Sequence, residues 1–516
     1  MPMRHTVLRL IGSMLAAWPV TQAAVAEDID TAWIRIYNGP SGLSDAALDV
    51  AVDDDGYAYV TGYSQHPVGM FNPRHVVVIK YTPDGDTVWL RKSLTAGASI
   101  EEGRVMKLTG DGHLMIAGWG NTVGMRVLKY TTDGDTVWTR TFAGVVPNDM
   151  ALNSSGDVWI TGGNSSDWVT VHYDASGTYQ WDDTFADAGG GPDTPFGIEV
   201  DAADNAYVVG TGEGTLANQD ILTIKYNSSG GIDWTRRYNG PANLNDAGAR
   251  VAIADANTIY VCGVSLNASF DNDIVLIRYE ADGDTAWTRR FVGAGTGADV
   301  VGDMDLDGNG NICLGGTVYT SGATSKAAVI KYDSDGDTLW ARFISPSVNI
   351  REVEADANGD IYLTGEAYPT GSFWTDWATF KFTAAGDSAW FRWLLNGTLP
   401  IFSQVCRAIE LDGSGGVLIC GNTAGNSGDF AVAKYVPPCS CPCHADPACN
   451  GVTDVFDVVA AVDVAFRSGT PVFDADCPNE QTDVTCDNVT NVFDVVAFVD
   501  VAFRNGSPSQ FCDPCS

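Results

Sequence analysis

From Trp33 onward the chain reads as short apolar runs separated by turn residues. The first stretch shows the pattern. Ala47 to Val52 is one run, and Asp53-Asp54-Asp55-Gly56 turns the chain. Tyr57 to Thr61 alternates as a second strand up to Gly62, and Val76 to Tyr81 is a third. Pro83-Asp84-Gly85-Asp86 then leads into Val88 to Arg91. β-Branched and aromatic runs between Asp-Gly turns predict antiparallel hairpins, because glycine supplies the positive φ of a tight turn and aspartate caps its free N–H groups.

The quartet of strands recurs. Trp returns at Trp33, Trp89, Trp138, Trp181, Trp234, Trp287, Trp340 and Trp390, at intervals of 43 to 56 residues. A basic residue followed by an aromatic returns at Lys80-Tyr81, Lys129-Tyr130, His172-Tyr173, Lys225-Tyr226, Arg278-Tyr279, Lys331-Tyr332, Lys381-Phe382 and Lys434-Tyr435. A glycine ends an apolar run at Gly62, Gly118, Gly162, Gly210, Gly263, Gly316, Gly365 and Gly421. A thin four-stranded unit buries its two faces only against its neighbours. Four antiparallel strands repeating about every 40–50 residues describe a propeller blade. The first Trp strand, Trp33 to Tyr37, precedes the first unit, and the last unit, Val405 to Tyr435, lacks one. The N-terminal strand is therefore expected to complete the last blade of an eight-bladed β-propeller, leaving no long exposed edge. Seven blades with a stray unit is the alternative.

The units resemble the bacterial β-propeller repeats called SBBP repeats. The resemblance rests on the inner run, the Asp-x-x-Gly turn, Tyr59-Val60-Thr61-Gly62, Ile79-Lys80-Tyr81 and Asp84-Gly85-Asp86-Thr87-Val88-Trp89, and covers residues 27–436. It implies a propeller with a binding or scaffold role and says little about chemistry.

The repeated residues read as architecture. Trp and Arg at i and i+2 share one strand face, as in Trp33/Arg35 and Trp234/Arg236, and are expected to pack between blades. Only Trp181 is followed by Asp182-Asp183 instead. The Asp column at Asp53, Asp201, Asp307, Asp356 and Asp412 reads as turn chemistry, and Asp305-x-Asp307-x-Asn309 is a weak calcium pattern. His66, His75, His113 and His172 show no metal-ligand spacing, and neither a nucleophile elbow nor a phosphate loop stands out. Trp374 and Trp377 fall in or beside the loop of the seventh unit, where an aromatic platform would suit a sugar ring or a protein partner. Cys406 and Cys420 flank a Gly-rich turn near Gly413 and are a candidate disulfide, whereas Cys262 and Cys313 read as buried thiols.

Charge narrows the partners. Asp and Glu number 65 against 29 Lys and Arg, a net charge of −36. That excludes general nucleic-acid binding, which needs a basic face, and disfavours anionic lipid surfaces. Arg4 and Arg9, the apolar stretch Val7 to Val20 and Ala24-Val25-Ala26 predict a signal peptide over residues 1–26. No later segment is long and apolar enough to span a bilayer. The product is expected outside the cytoplasm, secreted, extracellular or at the cell surface.

The composition changes at Pro437. Eight of the twelve cysteines fall beyond it: Cys439, Cys441, Cys443, Cys449, Cys477, Cys486, Cys512 and Cys515. In an exported chain they read as disulfides; zinc held by Cys439, Cys441, Cys443 and His444 is the alternative. Asn450-Gly451-Val452-Thr453-Asp454-Val455-Phe456-Asp457 returns as Asp487-Asn488-Val489-Thr490-Asn491-Val492-Phe493-Asp494, each leading into an apolar helix. This is half of an EF-hand, twice over.

The pair resembles a type I dockerin domain over residues 437–516. The resemblance implies two Ca2+ sites. The first would use Asp446, Asn450, Asp454, Asp457 and the Val452 carbonyl. The second would use Asp483, Thr485, Asp487, Asn491, Asp494 and the Val489 carbonyl. Ala448 stands where the first loop would carry another ligand, so that site is expected to be the weaker one. The first pairings expected are Cys443–Cys449 and Cys477–Cys486, with Cys439 and Cys441 bridging to Cys512 and Cys515. A cohesin-like partner is implied. Yet Val455-Phe456 and Val492-Phe493 stand where hydroxylic residues commonly meet cohesin, so a different protein, or the propeller itself, is the alternative.

The expectation is a mainly β chain: an eight-bladed propeller followed by a small α-helical, disulfide-rich calcium module. Its function is that of an exported, non-catalytic binding or scaffold protein recognising a glycan or a protein. The rival is a propeller lyase or hydrolase within a polysaccharide-degrading assembly.

Overall fold

The computed structural model describes residues 29–437, apart from 40–41, 67–71, 165, 188, 215–217, 296, 321–323, 345–347, 369–374, 395–403 and 424–427. The described strands form eight four-stranded antiparallel sheets. Seven sheets are made of consecutive strands. The eighth joins Val405–Leu411, Val417–Thr423 and Asp429–Val436 to the N-terminal strand Asp30–Tyr37. Trp33 lies opposite Lys434 in that last pairing. The ring is thus an eight-bladed propeller closed by its two chain ends, and the seven-bladed alternative falls. Among the described residues no helix is long and apolar enough to cross a membrane.

The strands run further than the apolar runs that announced them. Ala58–Gln65 and Arg74–Tyr81 pair beyond Gly62, with Ser64 opposite His75 and Gln65 opposite Arg74. Hairpin pairing needs only backbone groups, so polar residues continue a ladder that hydrophobicity does not mark.

The innermost strands, blades 1 to 8, are Asp45–Val52, Glu101–Leu108, Val146–Leu152, Thr194–Val200, Asp246–Asp255, Val300–Leu306, Val348–Ala355 and Val405–Leu411. Each carries a bulge just after the residue that faces the repeat glycine, as at Leu48 between Ala47 and Asp49. The glycine is required there: a Cβ on Gly62 would lie 2.0 Å from the Ala46 carbonyl oxygen.

The core lies between blades. Tyr207, Val209 and Ile221 of blade 4 pack on Val251, Ile259, Val261, Val275 and Ile277 of blade 5, with Trp234 closing the outer end. At the rim the Trp and Arg of one blade clamp the Asp-Gly turn of the next. The indoles of Trp33, Trp89, Trp138, Trp181, Trp234, Trp287 and Trp340 donate to turn carbonyls at 2.7–3.3 Å. Arg35, Arg91, Arg140, Arg236 and Arg289 donate through Nε to Gly85, Gly134, Gly177, Gly283 and Gly336 at 2.6–2.9 Å, each guanidinium stacked beside its own Trp. Gly85 shows why the turn carries glycine: its φ is 83°, and a Cβ would lie 2.6 Å from the Trp33 ring. Arg392 of blade 7 instead reaches the Ile29 carbonyl at 3.0 Å, so the clamp also grips the closing strand.

Candidate functional site

An innermost strand is a sheet edge, and its outward N–H groups lack a strand partner. Carboxylates from the preceding blade meet that need around the axis. Asp49 accepts the Met106 N–H at 2.7 Å, Asp149 that of Ile198 at 3.0 Å and Asp303 that of Val353 at 3.0 Å. Glu352 accepts the Ile409 N–H at 2.6 Å, and Asp305 that of Ala355 at 2.9 Å. Arg250 of blade 5 donates to Asp303 of blade 6 at 2.7 Å. Each bond crosses from one blade to the next.

These residues line a central channel of about 530 Å³ together with Glu199, Glu354, Glu410 and Lys107. The channel carboxyls are ringed by protein, and burial dominates their acidity. It pushes Asp305 up to about 6, Asp49 and Glu199 up to about 7 and Glu410 up to about 8. Glu352 and Glu354 are raised well above the usual range, first by burial and then by neighbouring carboxylates. Burial opposes the charge on Lys107, but Glu199, Asp149, Asp49 and Glu354 together hold it cationic. The channel is therefore a proton-holding wall with an ammonium set among carboxyls. Such groups can brace backbone, exchange protons near neutral pH and present a polar surface to a ligand.

The site residues expected from the sequence fare differently. Trp377 is fully buried, packed with Trp390, Ile409 and Ile419 at the junction of blades 7 and 8, and offers no platform to a ligand. It occupies a buried column shared with Val76, Met125, Trp168 and Ile221, each one residue before the partner of the repeat glycine. Cys406 and Cys420 are both free. The bulge at Arg407 sets Cys406 opposite Gly421 and Cys420 opposite Ala408, so their side chains leave opposite faces of blade 8. Cys406 packs toward blade 7, Cys420 toward blade 1, and Thr364 Oγ1 lies 2.9 Å from the Cys406 sulfur. Asp305 and Asp307 do not converge on a cation. Asp305 braces the channel, while Asp307 caps its own turn and pairs with Lys331 at 2.8 Å. Trp374, the expected calcium loops 446–457 and 483–494, the eight tail cysteines and the expected signal peptide lie outside the described residues.

Blade 3 departs from the repeat as its sequence does. His172 stands where most blades carry Lys, stacked 4.0 Å from Trp159 and edge-on to Trp181 at 5.6 Å. Tyr226 donates to Asp183, the residue that replaces the clamp arginine, at 3.0 Å. Sequence reasoning missed the channel altogether. The trace it left is the alternation Asp303-Met304-Asp305 and Glu352-Val353-Glu354, which puts two carboxylates of one strand on one face.

No family model matches this chain, and no curated protein matches it. Among solved structures it is similar to the propeller of Dos1 at 10% identity and a TM-score of 0.49, over 79% of this chain and 94% of that one. It is also similar to a protein of unknown function from Bacteroides caccae (13% identity, TM-score 0.33, 55% of this chain and 94% of that one). Drosophila Plexin A, in complex with Semaphorin 1b, aligns at 9% identity and a TM-score of 0.39, over 84% of this chain and 90% of that one. Similarities this remote assign no function.

Proposed function

We propose that the chain is an exported, non-catalytic binding or scaffold protein. Its propeller, built of SBBP-type repeats, recognises a glycan or a protein, and its dockerin-like tail binds calcium and docks the propeller to a partner. The observation that supports a scaffold is the use made of the channel: five carboxylates there each hold a backbone N–H of the following blade. A ring braced at rim and axis is a rigid support for variable loops, and loops on rigid scaffolds are where recognition concentrates. The docking half rests on the sequence of the tail. Its two loops concentrate carboxylates that repel one another until a cation joins them.

One observation favours a second reading, a secreted polysaccharide lyase or hydrolase. Carboxyls held near neutrality, such as Glu410 at about 8 and Glu199 at about 7, are suited to general acid–base work. Incubating the full-length protein with a panel of polysaccharides separates the two. Saturable binding without new reducing ends or unsaturated products supports the binding module; turnover abolished by Glu410→Gln supports the enzyme. The docking half is tested by pull-down from the producer's secreted proteins in calcium and in chelator. Capture that needs calcium and is lost with Asp457→Ala plus Asp494→Ala is the expected result. Equal capture by that double variant would refute docking through the loops.

A further inference from the structure

Nine residues before the repeat glycine, the turn of each inner hairpin carries Asp53, Thr109, Asn153, Asp201, Asp307, Asp356 or Asp412, but blade 5 carries Ala254. In the seven polar cases the residue's own N–H donates to the carbonyl four residues on, closing the turn. In blade 5 the hairpin closes more tightly, with Asp255 paired to Thr258 and the chain bulged at Ala254.

The aspartate in this slot accepts from a tyrosine in three blades and pairs with a lysine in two others. Tyr59 donates to Asp53 at 2.8 Å, Tyr207 to Asp201 at 3.1 Å and Tyr362 to Asp356 at 3.4 Å. Lys331 pairs with Asp307 at 2.8 Å and Lys434 with Asp412 at 2.9 Å. Blade 5 keeps both donors, as Tyr260 and Arg278, but lacks the acceptor. The Tyr260 hydroxyl and Arg278 Nε are buried without a hydrogen-bond partner among the described residues. The far end of the guanidinium donates to Thr258 Oγ1 at 3.5 Å and pairs with Glu280 at 3.4 Å, which leaves Nε as the unmet donor. Leaving a buried donor unmade costs more than making the bond gains, so two such donors in one place call for an acceptor.

They border a cavity of about 410 Å³ between blades 5 and 6, within the size range of small-molecule sites. Asn309, Gly310 and Ser334 of blade 6 form the far wall, with Thr258 and Asp255 on the near side. Asp255 Oδ1 is engaged by the Asn257 N–H of its own turn at 2.7 Å, and its negative charge disfavours a multiply charged anion such as phosphate. The hydroxyl and amide groups of Thr258, Asn309 and Ser334 suit a hydroxylated ligand.

We propose that this cavity binds a small hydroxylated monocarboxylate of the sugar-acid class, whose carboxylate is held by Arg278 and the Tyr260 hydroxyl, as the turn aspartate is held by a tyrosine in blades 1, 4 and 7 and by a basic residue in blades 6 and 8. The site lies at the hairpin end of the ring and stands independently of the function proposed for the channel and the tail.

Titration calorimetry of the full-length protein with glucuronate, glucose and inorganic phosphate tests it. Saturable millimolar-range binding of glucuronate is expected, with glucose and phosphate much weaker. Tyr260→Phe and Arg278→Gln are each expected to weaken glucuronate at least about tenfold, the share of a charge-assisted hydrogen bond. Tyr260→Phe removes only an unpartnered hydroxyl, so that variant should melt no lower than the parent, and its lost binding is not lost fold. Ala254→Asp, which returns a carboxylate to the slot, should melt higher and bind no glucuronate. Absence of saturable binding by the folded parent overturns the proposal. So does glucose binding as tightly as glucuronate, or unchanged affinity in both Tyr260→Phe and Arg278→Gln.

Discussion

The rim and the axis of the same eight blades solve one problem in two ways. Both must fasten each blade to the next. At the rim one solution is copied: an indole and a guanidinium grip the carbonyls of a glycine turn, with little change among blades 1, 2, 4, 5 and 8. At the axis the positions two residues past the glycine partner read Asp49, Val105, Asp149, Gly197, Arg250, Asp303, Glu352 and Ala408. Some of these brace backbone, one makes an ion pair, and three carry no polar group. The rim acceptors are uncharged backbone carbonyls, so the clamp can be copied from blade to blade without like charges meeting. The axis is narrow, and eight copies of one charge would repel at close range. Variation at the axis is therefore an electrostatic requirement, and it is also where the ring departs from pure architecture.

Removing residues 27–37 is the severest way to break the comparison, because it strips blade 8 of its outer strand and of its rim contacts with both neighbours while leaving the axis bond of Glu352 to Ile409. The strand Asp30–Tyr37, the Trp33 and Arg35 clamp on Pro83 and Gly85, and the Ile29 carbonyl that holds Arg392 all go. A melting temperature lowered by on the order of 10 °C or more, or loss of a single transition, is expected. A melt that matches the parent would contradict closure by the chain ends.

A milder cut separates the two partners of one clamp. Trp234→Ala is expected to cost about 3–5 kcal/mol, as for a large buried aromatic. Arg236→Ala should cost about 1 kcal/mol, because its side chain is 33% exposed and water replaces part of its bonding. Each loss should be the same at pH 5 and pH 8, since the acceptors of both bonds are uncharged backbone carbonyls. Chemical denaturation at the two pH values checks the size and the constancy.

The rim was legible in the sequence because repetition is visible without alignment: Trp, Lys-Tyr and Gly recur in fixed order, and from them blade number and closure followed. The same habit of looking for what repeats hid the axis. Asp49, Lys107, Arg250 and Glu410 share no residue type and read as noise between apolar neighbours. Ala254 was invisible for the converse reason, as an absence within a column of polar residues. Trp377 was misread because large aromatics at Trp168 and Trp377 fill one buried column that smaller residues fill elsewhere.

The channel should give the whole ring an acid-shifted stability profile. Asp305, Asp49, Glu199 and Glu410 have folded acidities of about 6, 7, 7 and 8, all above the unfolded range near 4. Between those limits the folded state binds more protons than the unfolded one, so stability falls as pH rises. Opposed to this, the capping aspartates Asp201, Asp307 and Asp412 are held below the usual range, and their contribution fades only as pH drops through the acid limb. Maximum stability is expected near pH 4–5, with a steady decline up to about pH 8. Thermal melts across pH 3–9 test it, and a maximum at or above pH 7 would refute the assignment of protonated carboxyls to the channel.

Glu410→Gln sharpens the contrast with the smallest change. Glu410 lacks a hydrogen bond to the next blade among the described residues, unlike Asp49 or Glu352, so its carboxyl is free to be replaced without unfastening a strand. Its acidity is raised first by burial, then by Asp49, with Lys107 pulling the other way. Above the unfolded value the native carboxyl must keep a proton that the unfolded chain releases, and that difference opposes folding. An amide of the same shape never ionises in either state. The gain should be nil below about pH 4, grow through the window and level off above pH 8, reaching on the order of 1–2 °C in Tm. Asp49→Asn should gain less, because it weakens the bond to the Met106 N–H while relieving the same charge. If Glu410→Gln lowered Tm at pH 8, the carboxylate of Glu410 would have to be a brace like its neighbours, and the axis would be fastened as uniformly as the rim.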